Sequence, residues 1–231
     1  MGTSTRWDGP RWGHLVGESR RAVGAVESAA TDSEIPFPRD GTVDVLGQDW
    51  IEDQGRRWLN QLHRDLRADP DAYGLRVRAT AMGRAFVRAY DGLRERGDPD
   101  LMQVVGEFAL RVVGAGTGVV DAAGRRAAVR VGERLFGPAG EALFCLLYRE
   151  FFADLVAEFL HAVIAEEIRF ALPALVPLDP SGRIVDWIAR RLVALVPDPC
   201  CEAATQLSRY ERAVEYVPQA VDVVLGLWER E

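Results

Sequence analysis

The chain has 231 residues, 48% hydrophobic and 27% charged, an ordinary globular composition that excludes wholesale disorder. Its net charge of −7, with Arg interleaved among Asp and Glu, leaves no basic stripe for a phosphate backbone, so direct nucleic-acid binding is not expected. No apolar run reaches the roughly 18 to 20 residues of a membrane span, and the start of the chain has no apolar signal core. The nearest candidate, Ala171 to Leu178, is broken by Pro173 and Pro177, and a cytoplasmic, non-membrane protein is expected.

Residues 1–11 are polar and Gly-rich with the single large apolar residue Trp7, and they read as a flexible tail. The helical domain is then expected over 12–231, with a modest helix from Trp12 to Ala29 and a Pro-containing loop over 31–47. From Asp49, the residues Trp50, Trp58, Leu59, Leu62 and Leu66 recur at helical steps as far as Asp69-Pro70. A second helix is expected from about Pro70 to Arg96, and a third from Pro99 to Val113, capped by Asp98. Gly114-Ala-Gly-Thr-Gly118 interrupts the pattern before a short fourth helix to about Phe136.

The longest helix is expected from Pro138 to Leu172 as the central core element, ended by Pro173 and Pro177. Pro180 to Val196 forms another, and Pro199 to Glu231 one or two more with a break at Pro218. No useful β-type alternation and no internal repeat is found, so the class is all-α, a multi-helix bundle around one long central helix.

Motifs for chemistry are sparse. All 28 basic residues are Arg, which excludes a Walker-type phosphate loop, a Schiff-base lysine and a lysine general base. Gly114-x-Gly116-x-Gly118 follows a helix rather than a strand, so close packing or a hinge is expected there in place of a nucleotide site. Glu150, Asp154, Glu158 and His161 share about 80° of arc on the long helix, and Glu158-x-x-His161 has the spacing used by di-iron bundles. A second such motif is missing, so the expectation is a narrow solvated stripe, no metal and no cofactor. Cys145 reads as a buried inert thiol, the three cysteines as too few and too badly spaced for a disulfide framework, and Cys200 and Cys201 are left unassigned. Trp50, Trp58, Trp187 and Trp228 are expected in core or groove packing, and no catalytic residue is assigned.

The opening Met1-Gly2-Thr3-Ser4-Thr5 with Gly9-Pro10 resembles the start of the QatB family, the small B component of the bacterial Qat anti-phage defence system. Further similar stretches are Gly97-Asp98, Gly106-Glu-Phe-Ala-Leu110, the Gly114 to Gly118 run, Ala122-Ala-Gly-Arg-Arg126, and Gly132 before Leu135-Phe136. Arg11-Trp12-Gly13-His14 replaces the family's Pro-rich run and the Ile35 to Leu93 region is longer, as a sister family would have it. The resemblance implies a non-catalytic acceptor: once Met1 is removed, the amine of Gly2 is joined to a 7-deazaguanine base by a QueC-like partner enzyme. Thr3, Ser4, Thr5, Trp7, Gly9 and Pro10 would form the recognition tail, and the other operon partners would be an ATPase and a TatD-like nuclease. A terminal amine with a pKa of about 7.7 to 8.0 suits such chemistry. Arg6, standing where N-myristoylation asks for Ser or Thr, disfavours lipidation. The alternative readings are an unmodified helical adaptor and a metal-dependent carboxylate bundle on Glu158 and His161.

Overall fold

The structure is a computed structural model that describes residues 48–93, 101–135, 144–171, 183–200 and 209–228. Among these residues the chain is all-α and contains no strand. The expected helix over 12–29, the loop over 31–47 and the tail lie outside the described residues, as do the first residues of the expected long helix, from Pro138.

Helix α1, Gln48–Ala68, follows the predicted periodicity and buries Ile51, Trp58, Leu59, Leu62 and Leu66. The next helix does not begin at Pro70. Residues Ala72–Gly74 form a single 3-10 turn in which Tyr73 and Gly74 both have positive φ, so the chain turns before α2, Leu75–Leu93. A left-handed Tyr costs on the order of 1 to 2 kcal/mol. Two tertiary contacts hold it: its hydroxyl donates to the Asp65 carboxylate at 2.8 Å, and its ring lies 5.7 Å from that of Phe159.

Helix α3, Leu101–Val113, and helix α4, Val119–Leu135, flank the glycine run, and α4 is a full 17 residues rather than short. The central helix α5, Phe144–Ala171, has 28 residues and is enclosed on all sides from Phe151 to Leu160. Helices α4, α6 (Arg183–Val193), α7 (Arg209–Val224) and α2 all pack on it. Helix α1 packs on α6, where the Trp187 ring covers Gly55 so closely that a methyl there would lie 2.5 Å from it, and also meets the end of α7 through His63 and the Val224 carbonyl. The expected break at Pro218 does not occur. Pro218 sits inside α7 on an exposed face, where the carbonyl left unpaired by the missing N–H can turn to water. Among the described residues no helix is long and apolar enough to cross a membrane.

Candidate functional site

Around α5 the aromatic residues form one continuous block. Phe86 stacks on Phe151 at 4.9 Å and meets Phe108 edge-on at 5.5 Å, while Phe152 meets both Tyr148 and Phe151 edge-on. Such offset and T-shaped pairs suit the ring quadrupole and add to area burial. The buried Tyr148 hydroxyl donates to the carbonyl of Ala213 at 3.0 Å, and burial holds its pKa well above the usual phenol range.

The opposite side of α5 carries Glu150, Asp154 and Glu158, and here the expectation of a solvated stripe is wrong. Asp154 is 3% exposed and Glu158 2%. Helix α4 runs antiparallel to α5 and presents Arg126, Arg130 and Arg134 at the same four-residue spacing, so the two rows face each other. Arg126 Nε donates to Glu158 Oε2 at 2.5 Å, Arg130 Nη2 meets Glu158 Oε1 at 2.8 Å, and Arg134 Nη1 meets Glu150 Oε2 at 2.7 Å. Each of these arginines is a third to a half exposed, so the guanidinium heads stay partly hydrated while they cover the buried acids.

One member of the ladder is left over. Arg130 stands opposite Asp154 in the register, but its guanidinium is drawn to Glu158 and, at 3.5 Å, to Asp186 of α6. Asp154 Oδ2 is buried without a hydrogen-bond partner among the described residues. Burial raises its pKa to about 6, against the pull of Arg134 and Arg130 and with the help of the Glu150 and Glu158 charges. It lines a cleft of about 380 Å³ between α4, α5 and α6, with Arg134, Glu150, Asp186 and Arg190 around it and Ala189 and Val193 as the apolar part.

The glycine run forms the turn between α3 and α4, where Gly114 has φ +72°. The Asp121 carboxylate accepts from the Gly118 N–H at 3.0 Å and from Arg78 Nε at 2.8 Å, and a methyl on Gly116 would collide with both Asp121 and Arg78. Close packing is thus what Gly116 allows, while Gly114 supplies the left-handed turn. His63 is held in the body by a 3.0 Å contact of its Nε2 with the Val224 carbonyl, and burial lowers its pKa. The Glu158 of the Glu158-x-x-His161 motif is occupied by the two arginines, and His161 is half-buried. Trp58 is buried and Trp187 partly so, while Trp228, expected in packing, is 51% exposed.

The cysteine reading is also corrected. Cys145, the second residue of α5, and Cys200, in the segment after α6, form a disulfide across 55 residues with Cα atoms 6.0 Å apart. Asp198 lies within 4.8 Å of both sulfurs, but its carboxylate accepts from the Cys200 N–H at 2.8 Å, and sulfurs bonded to each other are not thiolate ligands. Sequence spacing could not show this pair, because the two residues meet only when α5 and α6 pack. The Arg126, Arg130, Arg134 row, by contrast, was open to view: its spacing matches that of the acids on α5.

The tail residues Gly2, Thr3, Ser4, Thr5, Trp7, Gly9 and Pro10 lie outside the described residues. No family model, no characterised protein and no solved structure matches the chain.

Proposed function

We propose that the chain is a non-catalytic accessory protein of a bacterial anti-phage defence system, with Gly2 as the acceptor of a 7-deazaguanine base. The observation that carries this reading is the opening Met1-Gly2-Thr3-Ser4-Thr5 with its companion stretches in 97–136. The helical body agrees with a supporting role, since the charged groups of the ladder and of the glycine turn are engaged mainly with each other. A body of this kind carries the tail and offers surfaces to partners. These are a QueC-like enzyme, an ATPase and a nuclease; no nucleic acid, membrane or cofactor is bound directly. The protein works in the cytoplasm, where a disulfide such as Cys145–Cys200 would be a transient or regulated bond rather than a permanent staple.

Co-expression with a neighbouring QueC-like enzyme tests the proposal. The intact mass should rise by one heterocyclic group, located on Gly2 by peptide fragmentation, and Gly2→Trp should keep Met1 and abolish defence without unfolding the body. If the mass stays that of the Met-cleaved chain and Gly2→Trp still protects cells, the acceptor role is wrong. The unmodified helical adaptor then takes its place.

A further inference from the structure

The cleft between α4, α5 and α6 has the makings of a ligand site. Its acidic side chains alone would not make one, since acids on a helix face are commonly structural. The second observation is Asp154 Oδ2, buried at the cleft and left without a hydrogen-bond donor among the described residues. A buried, unsatisfied carboxylate oxygen is costly, and native structures rarely keep one without a partner that binds there.

The chemistry of the lining selects the ligand. Three carboxylates, Glu150, Asp154 and Asp186, stand against two guanidinium groups, Arg134 and Arg190, so an anion meets net repulsion. Arg134 is also engaged with Glu150. A metal ion needs several ligand atoms converging on one point, and these three acids do not form such a group among the described residues. A group with several N–H donors and one positive charge fits both the surplus charge and the missing donor. Ala189 and Val193 give an aliphatic stem a surface to lie on, and a cleft of about 380 Å³ is within the size of small-molecule sites.

We propose that this cleft binds an alkyl ammonium or alkyl guanidinium group, whose N–H donors meet the Asp154 carboxylate while its methylenes lie along Ala189 and Val193. The group can belong to a free small molecule or to the arginine or lysine side chain of a peptide, and the chemistry of the seat is the same for both.

Isothermal titration calorimetry on the full chain tests it, with n-butylammonium and agmatine as free probes and an acetylated, amidated Gly-Arg-Gly peptide as the bound form. At least one probe should bind with Kd of about 1 mM or tighter. Binding of agmatine but not the peptide assigns the site to free small molecules, and the reverse to a partner's side chain. Asp154→Asn should weaken binding about tenfold or more, as loss of a charged hydrogen-bond acceptor does. Asp53→Asn, on the exposed face of α1, serves as the control for a change of one charge and should leave affinity unchanged. Affinity should also fall as pH drops through about 6, where Asp154 takes up a proton among Arg130 and Arg134 of α4, Glu150 and Glu158 of α5, and Asp186 and Arg190 of α6. Failure of all three probes to bind, or equal binding by the wild type and Asp154→Asn, would overturn the proposal.

Discussion

On one side of the central helix, Tyr148 and Phe152 are enclosed by other rings; on the other, Glu150 and Glu158 are paired with arginines and Asp154 between them is not. Asp154 and Glu158 are nearly as buried as the rings, but by different physics: the rings are closed off completely, while the arginines beside the acids stay partly hydrated. Ring packing is weakly directional and its stabilisation scales with area and fit. The ladder is directional, since each acid needs a donor at a fixed place, and one donor drawn to a neighbour is enough to leave a charge exposed to a low-dielectric interior. The aromatic side therefore supplies most of the stability, and the charged side fixes how α4 lies on α5 and leaves a chemically unfinished spot at Asp154.

The largest effect should come from the rings. Phe152→Ala should cost about 3 to 5 kcal/mol, measured by urea unfolding, because Phe152 is fully buried and sits against Gly83 of α2. A methyl on Gly83 would lie 2.5 Å from Phe152 and 2.9 Å from Val217, so Gly83→Ala alone should destabilise by about 1 to 3 kcal/mol. In the Phe152→Ala background only the 2.9 Å approach to Val217 remains, and the cost of the methyl should fall. Equal costs in both backgrounds would show that the three helices do not meet there as described.

A change of opposite sign is expected at the unfinished spot. Asp154 titrates near 3.8 when unfolded and at about 6 when folded, so its stabilising contribution is full below about pH 4 and is lost as pH rises to about 6. Above that pH the buried charge is a constant penalty on the order of 2 to 3 kcal/mol. Asp154→Asn should therefore be more stable than the wild type at pH 7 and lack this part of the pH dependence. A variant no more stable at pH 7 would mean that Asp154 is better satisfied than the structure has it.

The smallest effect is expected where the ladder is complete. Glu158→Gln should cost roughly 1 to 2 kcal/mol, because the two arginines that lose their charged partner can turn toward water. Little dependence on salt is expected, since a buried carboxylate is screened far less than a surface one. If this change costs more than Phe152→Ala, the division of labour between the two sides is reversed.

Much of the helical plan was legible in the sequence, for a definite reason. The α1 face of Trp58, Leu62 and Leu66 shows helical periodicity because only one side of that helix is buried. The apolar density of α5 places it at the core, yet the same pattern points its acids to solvent. A single helix cannot tell whether a polar stripe faces water or a matching row on another helix, and only the Arg126, Arg130, Arg134 spacing carried that information. Pro218 does not end α7 because it lies on an exposed face, where the carbonyl that loses its N–H partner can turn to water. The stripe on α5 includes Asp154, but its lack of a donor depends on where the Arg130 guanidinium swings, which no linear pattern encodes.

The disulfide has a topological consequence. Cys145 lies at the start of α5 and Cys200 beyond the end of α6, so the bond closes a covalent ring that contains both helices and the segment 172–182 between them. A protease cut within 172–182 would open the ring without releasing either piece, and the oxidised chain would still migrate as one species until a reductant is added. The bond thus converts a break in that stretch from a loss of the last 49 to 59 residues into a change of connectivity, in which α7 stays tethered within reach of the bundle.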